Sequence, residues 1–208
     1  MQTGWQKISG KWYYFGNSGA MVTGLQKIDQ KVYYFNKSGM MQTGLQVVNN
    51  ETLYFCDSGY SVQGWKQVNN TWYYFDDSRS GDYYYAITGF ESIKGKTYYF
   101  DSTGAMQTGW YKSNNKWFYL SSSGALQTGW QKIDGKWYYF AWEMLSNNIY
   151  KIGGKWYSFD SSGAMQTGWL KYGDNWYYFD GSGAMVVGKK QVIGGKTYTF
   201  NSSGVWVK

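Results

Sequence analysis

The sequence predicts an all-β solenoid of about ten stacked β-hairpins, and three observations carry that reading. The aromatic phrase Gly4-Trp5-Gln6-Lys7-Ile8-Ser9-Gly10-Lys11-Trp12-Tyr13-Tyr14-Phe15 returns as Gly129-Trp130-Gln131-Lys132-Ile133-Asp134-Gly135-Lys136-Trp137-Tyr138-Tyr139-Phe140, with variants between and beyond. Its step is about 20 residues, a period that belongs to arrays in which each unit touches its neighbours. Each copy splits around a dipeptide that tolerates positive φ, such as Ser9-Gly10, Asn49-Asn50, Asn69-Asn70, Asp134-Gly135 or Gly153-Gly154. Type I′ hairpin turns demand such residues. The chain also contains no proline, which leaves every backbone N–H available to a strand ladder.

Counted from the opening glycine, the units are 4–23, 24–43, 44–63, 64–88, 89–108, 109–128, 129–147, 148–167, 168–187 and 188–208, read as one repeat domain over 1–208. In the first, strand one covers 5–8, the turn is Ser9-Gly10, strand two covers 11–15, and a loop through Asn17-Ser18-Gly19 leads on. The second and third keep the hairpin but replace both Trp, by Leu25 and Val32 and by Leu45 and Thr52. The fourth carries five extra residues within Ser78-Arg79-Ser80-Gly81-Asp82-Tyr83-Tyr84-Tyr85. The fifth, with Phe90 and Thr97, lacks both Trp, and the sixth is regular. The seventh exchanges its Gly-Ala-Met tail for Ala141-Trp142-Glu143-Met144-Leu145, and the eighth opens with Asn148 in place of glycine. The ninth is regular. The tenth has one extra residue and ends in Val205-Trp206-Val207, expected to cap the stack or to pair with a second copy of the chain.

Side-chain parity sorts the faces. A two-residue turn pairs Ile8 with Lys11, Lys7 with Trp12, Gln6 with Tyr13 and Trp5 with Tyr14, and paired residues share a face. Trp5, Lys7, Trp12 and Tyr14 then lie on one side, and Ile8, Tyr13 and Phe15 on the other. The second set is apolar almost throughout (Ile28, Tyr33, Phe35; Val68, Tyr73, Phe75; Ile133, Tyr138, Phe140). It is read as the stripe on which hairpins stack, since an isolated hairpin is marginal in water. The first set varies more between units and is read as facing a ligand.

Composition narrows the functions. Aromatic residues make up 23% of the chain, more than a core of this size needs. There is no histidine, so a His-based triad and an ordinary zinc site are excluded, and no catalytic or metal site is expected. The single cysteine, Cys56, excludes an internal disulfide framework. Carboxylates follow the second strand (Asp57, Asp76, Asp101, Asp160, Asp180) or sit in turns (Asp29, Asp134), where they are turn formers. The net charge of +7 suits an anionic polymer such as teichoic acid. Lysines on strand edges also block aggregation. The basic residues form no stripe and no nucleic-acid motif, so nucleic acid is not an expected partner. No run is apolar enough to span a membrane, and no signal-peptide pattern opens the chain. Met1-Gln2-Thr3 matches the repeat tails Met106-Gln107-Thr108 and Met165-Gln166-Thr167. The chain is therefore expected to be the C-terminal piece of a longer protein, with any catalysis in a domain outside it.

Five units carry Trp at both positions of the variable face: Trp5/Trp12, Trp65/Trp72, Trp110/Trp117, Trp130/Trp137 and Trp169/Trp176. Two indoles open to one side form two walls of a box. A Tyr from the following hairpin can add a third and a loop Met the floor, an enclosure suited to a quaternary ammonium.

The pattern Gly-Trp-x-x-x-x-x-x-Trp-Tyr-Tyr-Phe-x-x-x-Gly-x-Met resembles the choline-binding cell-wall repeats of Gram-positive surface proteins and phage lysins, over essentially the whole chain. The resemblance implies a superhelical repeat array without cofactor, secreted and wall-associated. It further implies a cage for choline or phosphocholine of teichoic acid, built from two Trp and the Met of one repeat and the second Tyr of the next. Carried over, that gives Trp5, Trp12 and Met21 with Tyr34, and Trp110, Trp117 and Leu126 with Tyr139. It gives Trp65 and Trp72 with Tyr99. It also gives Trp156 and Met165 with Tyr178, where Ile149 holds the first wall. Trp169, Trp176 and Met185 follow, with Thr199 at the closing position. In the seventh unit Ser158 holds the closing position for Trp130 and Trp137, and the second, third and fifth units look empty. The repeat also resembles glucan-binding repeats of glucosyltransferases and receptor-binding repeats of clostridial toxins. A polysaccharide is therefore the rival ligand, and it would need polar side chains at the rim.

Overall fold

The computed structural model describes residues 2–77 and 83–207; residues 78–82 of the fourth-unit insertion, with Arg79, lie outside them. Among the described residues the chain is all-β, without helix. The strands are β1 (Gly4–Ile8), β2 (Lys11–Phe15), β3 (Gly24–Ile28), β4 (Lys31–Phe35), β5 (Gly44–Val48), β6 (Glu51–Phe55), β7 (Gly64–Val68), β8 (Thr71–Asp76), β9 (Tyr85–Ala86), β10 (Gly89–Ile93) and β11 (Lys96–Phe100). They continue as β12 (Gly109–Ser113), β13 (Lys116–Leu120), β14 (Gly129–Ile133), β15 (Lys136–Phe140), β16 (Asn148–Ile152), β17 (Lys155–Phe159), β18 (Gly168–Tyr172), β19 (Asn175–Phe179), β20 (Lys190–Ile193), β21 (Lys196–Phe200) and β22 (Trp206–Val207). Ten hairpins result among the described residues.

The turns are the cause of this regularity. Asn49 and Asn50 sit at φ 54° and 65°, and Gly194 and Gly195 at 56° and 79°. Two successive positive φ values match the right-handed twist of the flanking strands. Even Gln30 is held there, at φ 63°, against the Cβ–carbonyl clash that disfavours side chains in this region. The register follows: Trp5 lies opposite Tyr14, Lys7 opposite Trp12 and Ile8 opposite Lys11, as parity requires.

The chain divides into two compact units, Met1–Thr108 with Ser122–Ala125, and Gly109–Ser121 with Leu126–Lys208. In the first, the Phe at or next to the end of the second strand is sealed from solvent at Phe35, Phe55, Phe75 and Phe100, while Phe15 of the first hairpin is half-buried. In the second the same position is held by Leu120, Phe140, Phe159, Phe179 and Phe200, again buried. Burying each such side chain is worth about 1.5–3 kcal/mol, and together these form the spine of each unit.

Hairpins are tied to one another by backbone. In the first unit Met41 N–H donates to the Trp12 carbonyl at 2.8 Å, and Met106 N–H to that of Trp72 at 2.8 Å. In the second, Met144, Met165 and Met185 donate to Trp117, Trp137 and Trp156 at 2.8–2.9 Å. Each loop methionine is thus pinned beside the hairpin that precedes its own.

After residues 78–82 the fourth unit adds a short strand, which the regular units lack. Short β9 lies between β6 and β8, in a five-stranded sheet ordered β5-β6-β9-β8-β7. Leu53 pairs with Tyr85, and Phe75 with Ala86.

Candidate functional site

The site begins with parity. In a hairpin, the two Trp and the second Tyr point toward the following hairpin, whereas the first Tyr and the Phe point back toward the preceding one. The inner indole Trp5 therefore meets Tyr33 at 4.8 Å and Phe35 at 5.7 Å from the next hairpin, besides Tyr14 of its own at 5.3 Å. The outer indole Trp12 stands at 89° to Trp5, with ring centroids 6.2 Å apart, and is 41% exposed. A cleft of about 380 Å³ opens between them, lined by Trp5, Trp12, Tyr33, Met41 and Ser58.

This arrangement recurs. Trp65 and Trp72, 6.1 Å apart at 83°, line a cleft of about 400 Å³ with Tyr98, Met106, Ser122 and Ser123. Trp110 and Trp117, 6.0 Å apart at 86°, line one of about 380 Å³ with Tyr138, Met144 and Ser162. Trp130 and Trp137, 6.3 Å apart at 87°, line one of about 410 Å³ with Tyr157, Met165 and Ser182. In each, the inner Trp lies 4.8–5.0 Å from that Tyr, edge to face. Three rings surround one point, over a thioether floor.

The floor has its own support. The sulfur of Met41 lies where a Cβ on Gly59 would fall, and Met106, Met144 and Met165 lie likewise on Gly124, Gly163 and Gly183. Those glycines also need positive φ, 88° at Gly59 and 82° at Gly163. The loop is pre-shaped by Asx hydrogen bonds. Asp160 Oδ1 accepts from Ser162 N–H, Ser162 Oγ–H and Ala164 N–H at 2.6–3.0 Å. Burial pushes this carboxyl up, but those bonds together outweigh it and hold Asp160 below the usual carboxylate range. Asp101 and Asp180 are lowered in the same way. The Tyr33 phenol is pushed up, first by burial and then by Asp29.

The expected quartets are redistributed by this geometry. Trp5, Trp12, Trp65, Trp72, Trp110 and Trp117 do stand at clefts. Their lining tyrosine, however, is the first of the Tyr pair and not the second. Tyr34 stacks on Phe55 at 6.1 Å, and Tyr99 lies against Phe90 of its own hairpin at 4.9 Å. Tyr139 and Tyr178 buttress Trp130 and Trp169, their own inner indoles, at 5.2 and 5.3 Å. The reason is the period-2 alternation of the strand. The methionine also shifts by one unit, because its N–H is bound to the preceding hairpin. Met21 is 42% exposed against Gly39. Met165 serves the Trp130/Trp137 cleft, and Met185 is bonded at Trp156. Leu126 pairs with Leu120 in its own loop and does not line the Trp110/Trp117 cleft.

Two arrangements exceed the expectation. Trp130 and Trp137 are completed by Tyr157, while Ser158 is buried and donates its hydroxyl to Gln166 Oε1 at 2.8 Å. Trp169 and Trp176, 6.4 Å apart, meet Tyr198 at 4.9 Å from Trp169, so Thr199 at the second position leaves no gap. There Trp206 stands opposite Phe200, where other units place Met, and lies 5.9 Å from Trp169. In the hairpin of β3 and β4 Val32, at the outer Trp position, is instead buried in a cluster with Leu53 and Phe55.

Comparison with known proteins places these features. A family model described as a choline-binding repeat matches residues 2–42, 22–55, 42–84, 87–128 and 147–189, and a cell wall binding repeat model matches residues 128–141. Among solved structures, CbpJ of Streptococcus pneumoniae is 28% identical, with 99% of this chain and 94% of that one covered and a TM-score of 0.74. Choline binding protein F of Streptococcus pneumoniae is 31% identical, with 99% and 87% covered and a TM-score of 0.70. CbpF in complex with ipratropium is 28% identical, with 99% and 93% covered and a TM-score of 0.54. No curated protein sequence matches the chain.

Proposed function

The chain belongs to the choline-binding repeat family, and from that premise we propose that it is a non-catalytic anchoring module. It holds the choline or phosphocholine of cell-wall teichoic acid in aromatic boxes between successive hairpins. The observation that carries this is the recurring enclosure of two indoles near a right angle, a phenol and a thioether. No carboxylate or amide side chain lines any of the four clefts. A quaternary ammonium needs no hydrogen bond, and its charge is met by the electron-rich ring faces. A sugar would require polar partners, yet the hydroxyls of Ser162 and Ser182 already donate to Asp160 and Asp180. The complex of CbpF with ipratropium, itself a quaternary ammonium compound, supports the same chemistry.

Each cation–π contact contributes about 0.5–2 kcal/mol, which places a single box at roughly millimolar affinity. Several boxes facing a polymer with many cholines raise the overall avidity by about 10²–10⁴. Such a module belongs outside the cell, on the wall. Titration with choline chloride, followed by tryptophan fluorescence, tests the proposal. Saturable change at millimolar choline with none from glucan oligomers is expected; response to glucans alone would transfer the site to carbohydrate.

A further inference from the structure

The residue facing each outer indole across the hairpin is not chosen at random. Six units carry the outer Trp. In five of them the cross-strand partner is lysine: Lys7 opposite Trp12, Lys112 opposite Trp117, Lys132 opposite Trp137, Lys151 opposite Trp156 and Lys171 opposite Trp176. The exception is Gln67, opposite Trp72. In the four units without that Trp, the position holds Lys27, Val47, Ser92 and Val192. The lysine follows the indole.

A second lysine position provides the control. The first residue of strand two is Lys11, Lys116, Lys136 and Lys155 in units with the outer Trp, and Lys31, Lys96 and Lys196 in units without it. That lysine does not follow the indole, and where it finds a partner the partner lies elsewhere: Lys116 pairs with Glu143 at 2.7 Å and Lys31 lies 4.4 Å from the Tyr60 ring centroid. The lysine opposite the Trp therefore has a further reason to be there.

Its ammonium lies over the outer indole. The Nζ of Lys7, Lys112, Lys132 and Lys151 lies 5.4–5.9 Å from the centroid of the facing indole. A fixed cation beside a site for a cation opposes binding, unless the ligand brings an anion that lands on it. In a phosphate ester of choline, two carbons separate the ammonium from the ester oxygen. With the ammonium in the box, the phosphate emerges at the rim, within reach of a long flexible side chain.

We infer that the lysine opposite the outer Trp reads the phosphate, making each such box a site for the zwitterionic ester rather than for the bare cation. Trp72, facing Gln67, forms the indifferent box. This rests on the proposal that the boxes take a quaternary ammonium.

The test uses the whole chain, with choline chloride and phosphocholine titrated in parallel at low and high salt. The unaltered chain is expected to prefer phosphocholine, by up to about fivefold at a lysine site, the worth of one exposed ion pair, and the preference fades with salt. The combined variant Lys7→Gln, Lys112→Gln and Lys132→Gln should lower the ratio of phosphocholine to choline affinity. Gln67→Lys should raise it at the Trp72 box, a gain that a merely structural lysine cannot produce. An unchanged ratio in both variants overturns the inference. So does a parallel rise for both ligands in the triple variant, which would mark the lysine as a competing cation. If neither ligand binds the unaltered chain, the proposal of a quaternary-ammonium box falls first and this one with it.

Discussion

In the first box the two indoles do different work: the outer Trp12 is 41% exposed, whereas Trp5 is wedged among Tyr14, Tyr33 and Phe35. In the Trp110/Trp117 box both are exposed, at 37% and 38%. Trp117→Ala is expected to abolish one choline site, read as stoichiometry by calorimetry, and to leave thermal stability nearly unchanged. Trp5→Ala should abolish a site and also destabilise the fold by about 2–4 kcal/mol, toward the range of large-to-small aromatic truncations, measured by denaturant unfolding. The tyrosine pair separates in the opposite sense. Tyr138→Ala should remove the Trp110/Trp117 site, and Tyr139→Ala should loosen Trp130 while leaving the Trp110/Trp117 box occupied. Parity places Tyr13 and Phe15 on the face opposite Trp5, but that face reads from sequence as the stacking stripe, so the first Tyr was not legible as part of a box. The pattern carried over from the family paired each Trp with the second Tyr, whereas the four clefts are lined by the first. The methionine's shift was not legible either. It depends on a backbone bond from Met41 to Trp12, and no side-chain pattern announces that bond.

At the scale of the element, hairpin and loop divide the tasks. The turn dipeptides, read from Asn-Asn, Asp-Gly and Gly-Gly, stand at positive φ as expected, and the strand limits differ from the predicted ones chiefly at the opening glycine. Gln30 and Lys94 are the misfits, at φ 63° and 50°. Gln30→Gly should stabilise the chain by about 0.5–1 kcal/mol in urea unfolding. The loop supports the floor of the box from behind, so Gly163→Ala is predicted to drive the Met144 side chain out of place and weaken the Trp110/Trp117 site severalfold, though it touches no ring. The Asx loops respond to acid. Asp101, Asp160 and Asp180 have folded-state values below their unfolded ones, so their contribution is present above about pH 4 and is lost as pH falls through the lowered folded value. Asp160→Asn should keep the two backbone bonds, as Asn36 does with Ser38 and Met40. It should also make acid unfolding shallower between about pH 4 and pH 2. Strand β9 was not legible. A two-residue strand that bridges two hairpins depends on an insertion in one unit and on an open edge in another.

For the whole molecule, the proposed anchoring depends on repetition, since many weak sites on one polymer raise avidity. The ten units were readable because the repeat is dense and the turn chemistry consistent. Which units hold a box depends on four positions spread over two successive units, and the replacement of Met by Trp206 at the last one shows how a single substitution changes the lining. Ligand that binds only the folded array must stabilise it. At choline ten times a site's dissociation constant, each occupied box adds about 1.4 kcal/mol, so thermal unfolding should shift upward by an amount that grows with the number of intact Trp pairs. The net charge of +7 should make capture on an anionic wall polymer faster at low salt, while free choline binding should respond little to salt.

The most direct measurement is a crystal structure of the chain soaked in choline at saturating concentration. Density for a trimethylated nitrogen is predicted between Trp5, Trp12 and Tyr33, and between Trp110, Trp117 and Tyr138, with Met41 and Met144 beneath. Choline found only at other surfaces, with those rings closed upon one another, would contradict the account.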